Sequence, residues 1–210
     1  MKKYLPLMIV TSVVIVVPII LGLILWARLP EQIAIHWNVN GEVDGYAGKA
    51  MAVFGCPIFI LAIHWISMTI TLADPKKKTM SEKMIALALW ICPVVSLLVG
   101  TVIYMTAMGI ALHVGMIVPC VLGVLFIVIG NYLPKCTQNY TIGIKTPWAL
   151  HDTENWHKTH RFAGPVFVVG GLLMIVTALL NQVYVMLVLL LPMVLAPVIY
   201  SYILHRKREK

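Results

Sequence analysis

The sequence predicts an all-α, polytopic membrane protein: six transmembrane helices, both termini cytoplasmic, and a small extracellular cap between helices 1 and 2. Three observations carry this. Of 210 residues, 60% are hydrophobic and only 11% charged, against about a quarter charged in a typical soluble domain. Six apolar runs are each long enough to cross a bilayer, which takes roughly 20 residues. The basic residues cluster at alternate ends of those runs. A mean hydropathy of +0.92 excludes a water-soluble enzyme, and no large extramembrane domain fits beside six spans.

In order, the runs are 5–27, 51–73, 84–105, 114–133, 162–180 and 183–204. The first follows Met-Lys-Lys as a signal peptide would. Its length and its ending Leu25-Trp26-Ala27-Arg28-Leu29-Pro30, without a small-x-small site, make it a retained span. Lys and Arg near span ends stay cytoplasmic. Lys2, Lys3, Lys76, Lys77, Lys78, Lys83, Lys135, Lys145, Lys158, Arg161, Arg206, Lys207, Arg208 and Lys210 share one face, and only Arg28 and Lys49 the other. With the acids Asp74, Glu82, Asp152, Glu154 and Glu209 inside and Glu31, Glu42 and Asp44 outside, the faces carry +9 and −1. The formal net charge of +8 is therefore a mark of topology and of attraction to anionic lipid, not of nucleic acid. Cys56, Cys92 and Cys120 lie in spans and Cys136 on the cytoplasmic side, with no C-x-x-C pair, so they read as small packing residues.

Pro18, Pro57, Pro93, Pro119, Pro165, Pro192 and Pro197 inside the spans, with glycines beside them, predict a kinked, closely packed bundle. His64 is the one clear ionisable group within a span. Carriers and pumps place such groups at mid-membrane, and a single histidine among Ile63, Trp65 and Ile66 reads first as a hydrogen-bonded packing residue.

Two loops carry pattern. In 28–50, Ile33, Ile35 and Trp37 alternate as in a strand, and Asn40-Gly41 and Asp44-Gly45 are turn dipeptides. The expectation is an extended-and-turn cap, with Trp37 and Tyr46 as interfacial anchors and His36 and Trp37 as candidates for a ligand-docking surface. In 134–161, residues 140–145 alternate as an extended segment, Thr146-Pro147 stops any helix, and Asp152 or Thr153 caps a helix running into the fifth span. On that helix Trp156 and His160 share a face, as do His157 and Arg161. Trp148 and Trp156 are expected to lie flat in the headgroup layer, with Lys145, Lys158 and Arg161 on phosphates. His151, His157 and His160 raise zinc, but no H-E-x-x-H logic is present. No metal, cofactor or catalytic residue is assigned, because neither a triad nor paired-carboxylate spacing occurs.

Gly130-Asn131, the run Asn139-Tyr140-Thr141-Ile142-Gly143-Ile144-Lys145-Thr146-Pro147-Trp148, then Trp156, Thr159-His160-Arg161-Phe162 and Gly164 resemble the signature of the SdpI/YfhL family. Leu29-Pro30, Ile35-His36-Trp37, Gly41, Asp44-Gly45-Tyr46 and Lys49 are similar to the domain of unknown function that commonly precedes it. The expected organisation is a helical hairpin, 1–73, followed by a four-helix region, 84–205. The resemblance implies a protein of the bacterial cytoplasmic membrane that confers resistance to a secreted peptide toxin and holds a small helix-turn-helix transcriptional repressor at the membrane. Its implied partners are membrane lipids, the toxin and the repressor, with no direct nucleic acid contact. Asn131, Asn139, Gly143, Lys145, Thr146, Pro147, Trp148, Trp156, His160 and Arg161 join His36 and Trp37 as candidate ligand- or partner-binding residues. Lys145 stands where Arg is frequent in the family run, which keeps the cation but not its bidentate fork. The alternative is a small transporter or a lipid or peptide flippase with His64 on its path.

Overall fold

The computed structural model describes residues 2–208. Two charges of the topology count, Glu209 and Lys210, lie outside the described residues. Among the described residues six helices are long and apolar enough to cross a membrane. They are α1 (Leu5–Ile24), α2 (Cys56–Ala73, entered through a wide π turn at Met51–Gly55), α3 (Glu82–Ala107), α4 (Val114–Tyr132), α6 (Thr153–Leu179) and α7 (Val183–Arg208), with a short α5 (Pro147–His151) before α6. The fifth apolar run is only the second part of its helix, because Asp152 caps α6 and the helix continues unbroken from the loop into the span. Between α1 and α2, β1 (Gln32–Trp37) and β2 (Val43–Gly48) form an antiparallel hairpin. The chain divides into two compact units: residues 1–69 with 88–118, and 70–87 with 119–210.

In the first unit buried polar groups of the spans bond to neighbouring helices, as hydrocarbon requires. Nε2 of the buried His64 lies 3.0 Å from the Thr11 hydroxyl. The Thr11 hydroxyl also lies within hydrogen-bonding distance of the carbonyls of Leu7 and Met8 on its own helix. Ser96 donates to the Ile15 carbonyl at 2.8 Å, and Tyr104 to that of Pro18 at 2.6 Å. Gly100 admits the Pro18 ring, which would lie 2.7 Å from a Cβ placed there.

The hairpin differs from the sequence reading in one respect. Asn40-Gly41 forms the turn, with Gly41 at φ 81°, but Asp44-Gly45 lies within β2, where Gly45 pairs with His36. Register shifts on either side of His36 break the alternation of β1, so Ile33 and Ala34 are both buried while Ile35 is exposed. A bulge re-aims consecutive side chains in this way. Ile33 and Leu29 pack with Val53, Ile103 and Tyr104, and Trp37 lies against that cluster.

In the second unit α4 and α6 meet backbone to backbone. A Cβ on Gly123 would lie 2.7 Å from the Gly171 carbonyl, and one on Gly130 would lie 2.7 Å from that of Gly164. Glycines spaced seven apart on each helix thus face each other in antiparallel register. α7 returns along α6, with the Phe162 and Tyr200 rings stacked at 4.5 Å.

Candidate functional site

The signature run is a folded plug rather than an extended segment, and Asn139 organises it. Its carboxamide oxygen accepts the amide hydrogens of Thr141 (2.9 Å) and Ile142 (2.7 Å), and its nitrogen donates to the carbonyls of Thr137 (2.8 Å) and Ile142 (2.9 Å). That exhausts the two donors and two main lone pairs of a buried amide and winds 139–142 into a tight turn where alternation over 140–145 predicted an extended segment. Asp74, buried at the end of α2, fixes the turn from below. Its carboxylate accepts the amide hydrogens of Lys76 (2.7 Å) and Tyr140 (2.8 Å) and the Thr141 hydroxyl (3.1 Å). Gln138 bridges onward, donating to the carbonyls of Ala149 and Leu150 and accepting from Lys76 Nζ.

Gly143 follows with φ 117°, a backbone region L side chains rarely occupy. It brings the chain against the α6 pair Trp156 and His160, whose rings stack at 4.1 Å. His160 Nε2 accepts the Ile144 amide hydrogen at 2.9 Å, so Nδ1 carries the proton that reaches the Trp156 carbonyl at 2.8 Å. Both ring nitrogens are occupied. His157 and His160 therefore do not form a chelating pair: the first is exposed, the second committed. Trp156 is completely buried, with its indole N–H on the Cys136 carbonyl at 2.8 Å. It is not a headgroup anchor. Cys136 is buried as well, against Trp156, Ala149 and Met84, not water-facing as its place in a polar loop suggests. Burial pushes its thiol pKa up to about 11, the Asn139 side chain opposing the rise.

Thr146-Pro147 starts a helix where the sequence reading had it only stop one. Thr146, in extended conformation, accepts the Ala149 amide hydrogen as N-cap of α5, and Pro147 takes the first turn, where its missing N–H costs nothing. The same Thr146 hydroxyl meets Ser201 Oγ at 2.9 Å. Ser201 donates to the Asn155 oxygen (2.6 Å), which also takes the Thr159 hydroxyl (3.0 Å), while the Asn155 nitrogen donates to the Ser201 carbonyl (2.9 Å). This four-residue network is buried and ties α5, α6 and α7 together. Asp152 caps α6 through the amides of Glu154 and Asn155 and pairs with Arg208 of α7, which also reaches Glu154. Partial burial raises the Asp152 carboxyl pKa, but the backbone donors and the Arg208 guanidinium outweigh it and hold the group below its ordinary range.

The predicted residues therefore separate into two groups. Asn139, Gly143, Thr146, Trp156 and His160 meet within the plug as its interior. Lys145, Pro147, Arg161 and, on α4, Asn131 are exposed. Trp148 is half-buried, stacked on His205 at 5.8 Å and edge-on to Tyr202 at 5.4 Å, so it too faces α7 rather than lying flat on a surface. His36 and Trp37 lie on the hairpin: His36 is exposed and paired with Asp44 at 2.5 Å, Trp37 half-buried. Sequence reasoning missed Asp74, Gln138, Asn155 and Ser201. Asp74 and Ser201 carried a signal, each a polar residue at or within an apolar run.

Residues 135–201 match the SdpI/YfhL protein family, and residues 13–61 match a domain of unknown function, DUF1648. Over 195 residues, 91% of this chain and 90% of the relative, the sequence is 26% identical to the Immunity protein SdpI of Bacillus subtilis (strain 168). No solved structure matches. The first match covers most of the plug with α5, α6 and most of α7, and the second covers the hairpin with the end of α1 and the beginning of α2.

Proposed function

We propose that this chain, a multi-pass bacterial membrane protein whose residues 135–201 match the SdpI/YfhL protein family, is an immunity protein that gives its cell resistance to a secreted antimicrobial peptide. The observation that carries the reading is its likeness to an immunity protein along nine-tenths of both chains, together with an elaborately bonded plug for which bilayer spanning alone has no use. The charge distribution supports cytoplasmic termini and a cytoplasmic plug, with the hairpin outside. On this reading the hairpin and the adjoining spans meet the toxin, His36 and Trp37 lying on that side. The exposed rim of the plug, Asn131, Lys145, Pro147 and Arg161, meets a small cytoplasmic repressor and retains it at the membrane. The buried members of the signature shape that rim and do not touch a partner.

The experiment is expression in a toxin-sensitive bacterium with survival as readout. Protection against a cognate or related peptide is expected, and unchanged killing across such peptides overturns the immunity reading. For the regulator, combined Lys145→Ala and Arg161→Ala should release a membrane-held repressor into the soluble fraction while protection persists. Retention of the repressor overturns the rim assignment.

A further inference from the structure

Between α6 and α7 the second unit leaves an apolar groove of about 420 Å³, within the size range of small-ligand pockets. Pro165, Val169, Gly170, Leu173, Pro192 and Met193 line it. The gap has a sequence cause. Pro165 on one helix and Pro192 on the other lie inside their helices, and each removes a backbone hydrogen bond there. Gly170 meanwhile lets the Met193 sulfur approach its Cα so closely that a Cβ there would lie 2.5 Å from it. The helices touch at Gly170–Met193 and at the Phe162–Tyr200 stack, and stand apart alongside.

The groove has charge at one end only. Arg161, Pro165 and Val169 are successive turns of one exposed stripe of α6, so Arg161 stands one turn before the groove, next in sequence to Phe162 of the Phe162–Tyr200 stack. Lys145, also exposed, follows Ile144, whose amide is bonded to the residue preceding Arg161. From residue 162 to 204 the sequence contains no Asp, Glu, Lys or Arg. A ligand that satisfies both features is apolar along its length and anionic at a single end. An apolar helix, whether of a second copy or of a peptide, would fill the groove but leave the two cations unused.

We propose that this groove is a binding site for an anionic phospholipid, with one acyl chain against Val169, Leu173 and Pro192 and the phosphate on Arg161 and Lys145. The guanidinium supplies paired donors to phosphate oxygens and the ammonium a second charge. The site shares Lys145 and Arg161 with the rim proposed to meet a repressor, uses no residue proposed to meet the toxin, and is tested on the purified chain, where neither toxin nor repressor is present.

The test is lipid retention on the purified, delipidated full chain in detergent, read by native mass spectrometry. It compares phosphatidylglycerol and phosphatidylcholine of identical acyl chains, with inorganic phosphate as the headgroup-only arm. Phosphatidylglycerol should be retained at about tenfold lower concentration, the value of one charge-assisted contact. Arg161→Gln should abolish that preference, and Val169→Trp, which fills the groove from an exposed position, should weaken both lipids about tenfold or more. Phosphate alone should not displace the lipid. Melting temperatures verify folding, and Leu173→Phe replaces Val169→Trp if the latter is unstable. Equal retention of the two lipids, displacement by phosphate, or lipid binding untouched by groove filling overturns the proposal. So does a wild-type dimer that Val169→Trp disperses without changing lipid retention, which would make the groove the seat of a second copy.

Discussion

A methyl group placed on Gly143 would lie 2.4 Å from Nε2 of His160, the atom that accepts the next amide hydrogen along the chain. Two requirements coincide at this glycine: a backbone at φ 117° and the absence of any side chain over the Trp156–His160 stack. Gly143→Ala should therefore cost about 1–3 kcal/mol from strain alone, with displacement of the His160 ring in addition. Thermal unfolding in detergent measures it, and a variant melting within a degree of the wild type would show that the plug adapts.

Trp156 should tolerate removal of its N–H far better than removal of its ring. Trp156→Phe loses the bond to the Cys136 carbonyl, worth about 1 kcal/mol net and more where the acceptor stays buried and unpaired, whereas Trp156→Ala should cost about 3–5 kcal/mol. If Trp156 were a partner-docking residue, both variants would melt as the wild type does and only repressor retention would fall.

Cys136 should resist alkylation. With Cys56, Cys92 and Cys120 changed to alanine, the remaining thiol is buried and its pKa raised to about 11, so its thiolate fraction at neutral pH falls well below that of a free cysteine. Maleimide labelling should be slow in the folded protein, rise steeply under denaturant, and be faster in Gly143→Ala. Rapid labelling of the folded protein would contradict the burial of the plug.

The Asp152–Arg208 pair gives a pH dependence of known sign. The Asp152 carboxyl is held below its ordinary value in the folded state, so its contribution is fully present above the unfolded value, about 3.9. It is lost as pH falls through the folded pKa. Asp152→Asn keeps an N-cap acceptor but not the charge, so it should reduce the drop in melting temperature between pH 6 and pH 3. An unchanged drop would assign the acid sensitivity to other carboxylates.

His64→Ala separates immunity from transport. The histidine is locked onto Thr11 between helices, and interhelical hydrogen bonds in membranes average about 0.6 kcal/mol, so survival against toxin should persist with a modest loss of stability. Loss of resistance at full folded abundance would instead place His64 on a conduction path.

Spans and hairpin were legible because both rest on patterns local in sequence: apolar runs of bilayer length, and alternation broken by Asn40-Gly41. The helix cap at Asp152 was legible for the same reason. What sequence reading mistook was the fate of polar residues in the 134–161 segment. Trp156 and Cys136 sit among charged neighbours and look water-facing, but Met84 at the start of α3 packs against both, and Asp74 at the end of α2 fixes the turn at Tyr140 beside them, both remote in sequence. Asp44-Gly45 was misread as a turn because one turn dipeptide sufficed, and the second then fell inside a strand that the bulge at His36 had shifted.

The glycine contacts between α4 and α6 also bear on mechanics. Where Gly123 meets Gly171 and Gly130 meets Gly164, the spacing of the two helices is set by peptide groups, which have no rotamers to exchange. That pair forms a stiff plate. α7 contains no glycine and carries Pro192 and Pro197 inside its span, so it meets α6 through side chains, with Arg208 tying its last turn to the α6 cap at Asp152.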